Sequence, residues 1–111
     1  MIVIGTEAPL IVPDTPGTIA ITYPVGGESW FTGTTYYLTA DAVDADGVAS
    51  VDWYLDNVYI GTSIFVSGTK WQCGWTADRV GVGMSLVADL VDVHGNETFS
   101  TPVLITVNTP G

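Results

Sequence analysis

From Thr18 onward, apolar side chains recur at every second position, and turn-forming residues interrupt them every eight to twelve positions. A period of two belongs to β-strands, whose successive side chains point to opposite faces, so the pattern predicts a sandwich or barrel and no helix. Ile19 and Ile21 mark a first strand that closes at Pro24 and the Gly26-Gly27 turn. Tyr36, Leu38, Ala40 and Ala42 make one face of a second strand, and Val51, Trp53 and Leu55 one face of a third. Asp56-Asn57 is expected to form a tight turn, since both residue types tolerate positive φ. Val58 to Phe65 should return as an edge strand. Trp71, Cys73 and Trp75 alternate in the next, Met84, Leu86, Ala88 and Leu90 in the sixth, and Val103, Ile105 and Val107 in the last. About seven strands, each with one apolar face, predict an all-β antiparallel β-sandwich whose inner faces bury each other about 10 Å apart. Trp30-Phe31 is read as a Gly-bounded loop, and Gly81-Val82-Gly83 as a loop before a strand.

The chain ahead of this pattern is different. Pro9, Pro13 and Pro16, with Gly5 and Gly17, prevent helix and favour an extended path, so residues 1–17 are read as an arm, 18–108 as the sandwich and 109–111 as a tail. The arm's tip, Ile2-Val3-Ile4, is β-branched and apolar. Such a segment is either an extra edge strand on its own domain, a strand that docks on a neighbouring chain, or disordered.

Length and charge then narrow the field. At 111 residues there is room for one core. Twelve acids against Lys70 and Arg79 give a net charge of -10, which repels nucleic acid phosphates and anionic membrane surfaces. No apolar run approaches the roughly 20 residues of a membrane helix, and no basic segment precedes the apolar start, so the chain is expected to carry no export signal of its own. One Cys and one His exclude an internal disulfide framework and a Cys/His zinc cluster. Cys73 lies on a core face and should behave as a small buried hydrophobe.

Candidate chemistry is confined to acids and aromatics. Asp41, Asp44 and Asp46 flank the loop between the second and third strands, and Asp89, Asp92 and Glu97 flank that between the sixth and seventh. In a sandwich of this kind those loops share one end, so Asp41, Asp44, Asp46 and Asp92 are candidate calcium ligands, calcium being bound by six to eight oxygens. The competing reading is turn chemistry, in which Asp caps its own backbone, and the position where an EF-hand needs its bidentate Glu is occupied by Leu55. No residues are assigned to catalysis. Paired carboxylates would need a sugar-sized cleft, which sandwiches of this size rarely offer, His94 sits in a turn without a Gly-x-Ser-x-Gly partner, and no dinucleotide fingerprint is present. Trp30 and Phe31, with Tyr37, Tyr54 and Tyr59 on outward faces, form either rim packing, a protein interface or a platform for sugar rings.

The run Asp44-Ala45-Asp46-Gly47-Val48-Ala49-Ser50-Val51-Asp52-Trp53-Tyr54-Leu55, followed by Ile60-Gly61-Thr62, resembles the bacterial immunoglobulin-like (Big-type) domains. Tyr23-Pro24-Val25-Gly26-Gly27, Leu38-Thr39-Ala40-Asp41-Ala42, Leu86 to Asp92 and Ile105-Thr106-Val107 extend the match over about 20–107. The resemblance implies an immunoglobulin-like fold with Trp53 as the buried aromatic of its third strand. The antibody-type disulfide is absent, aliphatic residues standing at its positions. Such domains serve as spacers in secreted polysaccharide-degrading enzymes, in adhesins and in phage virion proteins. The expected function is therefore a non-catalytic structural module on a phage virion surface, a capsid decoration. It would be held to a capsid protein, or to further copies of itself, by Ile2, Val3 and Ile4 adding to a strand edge, with Trp30 and Phe31 also at the interface. The alternative is an extracellular accessory, spacer or sugar-binding domain of a secreted carbohydrate-active enzyme or adhesin.

Overall fold

The computed structural model describes residues 16–110, in which there is no helix. Ten strands follow in order: β1 (Thr18–Tyr23), β2 (Glu28–Phe31), β3 (Thr35–Val43), β4 (Val48–Leu55), β5 (Val58–Thr62), β6 (Ile64–Ser67), β7 (Lys70–Thr76), β8 (Gly81–Asp92), β9 (Glu97–Phe99) and β10 (Val103–Asn108). The first sheet has the order β1-β3-β7-β6. The second runs β2-β10-β8-β4-β5, with β9 paired to the far half of β8. Together they form a two-layer β-sandwich. The N-terminal arm, and with it Ile2, Val3 and Ile4, lies outside the described residues apart from Pro16 and Gly17.

The core is the set of inward positions that the alternation marks. Leu38, Ala40, Ala42, Cys73 and Trp75 come from the first sheet, and Val51, Trp53, Leu55, Met84, Leu86, Ala88, Leu90, Ile105 and Val107 from the second; all are buried. Burying a large side chain of this kind stabilises by about 1.5–3 kcal/mol relative to exposure. Trp53 is fully enclosed, and its indole nitrogen donates to Ser63 Oγ at 2.7 Å, so the largest core residue leaves no polar atom unsatisfied. Asp56 and Asn57 have φ of 49° and 68° and close a two-residue hairpin between Leu55 and Val58.

Four features differ from the alternation reading. Trp30-Phe31 is not loop but part of β2, which pairs in parallel with β10 from Glu28 opposite Ile105 to Phe31 opposite Asn108. Trp30 is consequently 3% exposed, stacked on Tyr36 with ring centroids 4.1 Å apart, and its indole donates to Glu28 Oε1 at 3.1 Å. It is a core residue with no ring free for a partner, whereas Phe31, on the opposite side of the strand, is exposed. The single edge strand expected over Val58 to Phe65 is two strands in different sheets, β5 beside β4 and β6 beside β7, and the chain crosses between layers at Ser63. Gly81 to Gly83 already belongs to β8, and Glu97 to Phe99 forms the additional short strand β9.

Candidate functional site

The loops after β3 and β8 meet at one end of the sandwich, where Val93 N–H donates to Gly47 O at 3.2 Å. Both loops are built by aspartates that bond their own backbone. Asp44 Oδ1 accepts from the Asp46 N–H at 2.9 Å, and Asp92 Oδ1 accepts from the N–H groups of His94 and Asn96 at 2.8 and 2.9 Å. This arrangement brings Asp46, Asp92 and His94 together, with one potential ligand atom from each within 4.8 Å of the others. Of the four aspartates assigned to calcium, Asp46 and Asp92 therefore meet, while Asp41 and Asp44 are outside the cluster. Asp41 projects from β3 opposite Lys70 and accepts from Thr69 Oγ1 at 3.1 Å. His94, read from sequence as a solvated turn residue, is exposed but is the third member of the group. Three side chains that mix imidazole with carboxylate fall short of the oxygen shell calcium takes and match a transition ion better.

A second constellation lies on the outer face of the second sheet. With even-numbered β8 residues turned to the core, Val87, Asp89 and Val91 point away from it. Cross-strand pairing sets Asp52 of β4 and Phe99 of β9 directly on either side of Asp89, and Tyr54 beside Val87. Tyr59 of β5 meets Tyr54 edge to face at 5.8 Å. Tyr54, Asn57, Val87, Phe99, Ser100 and Pro102 line a groove of about 540 Å³ on this face.

The carboxylates here are unusually placed. Asp89 is 1% exposed, and its Oδ1 has no hydrogen-bond partner among the described residues. Burial, then a hydrogen bond with Glu97 and the charges of Glu97 and Asp52, push its carboxyl up to about 7. The Tyr54 phenol is also raised, first by burial and then by the charges of Asp89, Asp52 and Glu97, which places all three acids in its field. Asp52 in addition accepts from Thr62 Oγ1 at 2.7 Å. Asp89 is enclosed and is not among the residues that line the groove. Sequence reasoning placed Asp89 beside a loop; the signal for its true setting was its outward position in a strand flanked by others of the same sheet.

A third feature is β6, which stands at the edge of its sheet among the described residues. All four of its residues are exposed, and Ile64, Phe65 and Val66 are large and apolar, without the charge or proline that commonly guards such an edge.

The family model described as bacterial Ig domain matches residues 18–86. That segment ends before Asp89, Glu97 and Phe99. No curated protein matches the chain. Among solved structures, the fibronectin(III)-like modules of Clostridium thermocellum CbhA are similar, with a TM-score of 0.70 at 21% identity over 85% of this chain and 99% of that one. A likeness at that identity concerns the fold.

Proposed function

The chain belongs to the bacterial Ig domain family, and on that premise we propose that it is a non-catalytic structural module that holds to a larger assembly through its N-terminal segment and a sheet edge. The observation that carries this reading is the unguarded apolar edge at β6, which can accept a further strand by main-chain hydrogen bonds. The alternating Ile2, Val3 and Ile4 are of the type that such an edge receives. A phage virion surface fits a body of net charge -10, because like-charged copies at symmetric sites stay apart while many weak contacts act together. A second reading, an accessory domain within a longer secreted protein, is favoured by the likeness to modules of CbhA.

Deleting residues 1–17 tests the mechanism. The shortened chain is expected to keep its melting temperature but to lose co-sedimentation with capsids of its own phage. Full retention by the truncated chain overturns the mechanism, and retention on insoluble polysaccharide without capsid attachment moves the assignment to the second reading.

A further inference from the structure

The outer face of the second sheet lies on the layer opposite the β6 edge, and it combines a groove with charge of one sign; Pro16 comes close to it at Glu97. The groove's volume of about 540 Å³ is within the range of ligand sites, roughly 300–1,000 Å³. Its walls are apolar or aromatic at Tyr54, Val87, Phe99 and Pro102, with Asn57 the amide among them. Asp52, Asp89 and Glu97 lie along one flank, and Asp56 sits in the turn beside Asn57. Among the described residues no Lys or Arg answers them. The chain's two Lys and Arg residues are Lys70, on β7 of the other sheet, and Arg79, which is paired with Asp78 at 2.8 Å.

We propose that this face docks a cationic segment of a partner protein, an apolar side chain entering the groove between Tyr54, Val87, Phe99 and Pro102 while a flanking lysine or arginine pairs with Asp52 and Glu97. Complementarity of charge selects this occupant. A second copy of the chain would bring another acidic body against an acidic face, and a neutral sugar would leave the carboxylate repulsion as it stands. A cation beside Asp52 and Glu97 removes that repulsion and supplies the field that the unpartnered Asp89 Oδ1 lacks.

A proton and the partner's cation compete for the same cluster. Among the described residues, the groups facing Asp89 are Asp52 and Tyr54 from β4, Glu97 from β9 and, beyond Tyr54, Tyr59 from β5; every one is acidic or phenolic. Because Asp89 holds its proton up to about pH 7, docking of a cation expels it, and affinity must rise as the pH passes that value.

The test is an NMR titration of the ¹⁵N-labelled full chain with the peptide acetyl-Gly-Lys-Trp-Lys-Gly-amide. Shifts are expected at Tyr54, Val87, Phe99 and their neighbours, with affinity about threefold higher at pH 8 than at pH 6. Asp52→Asn combined with Glu97→Gln should weaken binding by about two- to tenfold, the range for two partly exposed ion pairs, and Asp89→Asn should abolish the pH dependence. Asn at position 52 can still accept from Thr62, so a loss there is not a loss of the hairpin. The proposal is overturned if the analogue with Glu in place of Lys binds equally, if the shifts fall elsewhere or are absent, or if cellohexaose moves the same resonances and the peptide does not.

Discussion

Trp53 carries an indole N–H into the middle of the sandwich, beyond the reach of water, and Ser63 is what satisfies it. Removing only that hydroxyl leaves the donor buried and unpaired, so Ser63→Ala should cost about 1–3 kcal/mol in denaturant unfolding although it deletes a single atom. Asp89 is the opposite case, a carboxyl whose neighbours repel its ionised form. Its pKa is raised in the folded chain, so the folded state binds the proton more tightly than the unfolded one. The resulting stability is complete below the ordinary carboxyl range near pH 4 and is lost as the pH climbs through about 7. Melting temperature across that window should therefore fall, and Asp89→Asn, which cannot ionise, should flatten the profile; an unchanged slope in the variant would count against the assignment. Trp53 and Cys73 were legible in the sequence because each sits on the apolar phase of a regular alternation. Trp30 and Asp89 were not, because what buries them lies on other strands and only part of it is near in sequence: Tyr36 and Trp75 around Trp30, and β4 and β9 beside Asp89.

At the level of strands, the missed ones share a cause. β2 has one inward side chain and a parallel partner more than seventy positions away, so no local hairpin signal exists for it. β9 offers only Glu97, Thr98 and Phe99, too short and polar to show a period. The run from Val58 to Phe65 is apolar on both phases, and nothing local says that it changes layer at Ser63. Gly61 makes that crossing feasible: its φ is 155°, and a Cβ added there would come 3.0 Å from Cys73 Sγ across the core. Gly61→Ala is expected to destabilise by about 1–3 kcal/mol, the range for overpacking, and Cys73→Ala in the same chain should recover part of the loss. Recovery of none of it would place the strain in the backbone alone. The meeting of the two acidic loops, by contrast, followed from strand order, whereas the departure of Asp41 and the arrival of His94 depended on where each strand ends.

For the whole molecule, the location of the sandwich's two ends matters most. β1 begins at Thr18, opposite Val43 at the far end of β3, whereas β10 finishes at Asn108, opposite Phe31, just ahead of the start of β3. Polypeptide thus enters one pole and leaves by the other, the geometry of a bead threaded on a string. Tension along that string would draw β2 and β10 past each other lengthwise. Because they run parallel and their hydrogen bonds lie across the pull, the rungs from Glu28 to Phe31 would resist as a set instead of opening one by one like a zipper. The parallel pairing of β2 with β10 is thus the part of the sandwich set squarely across a lengthwise pull.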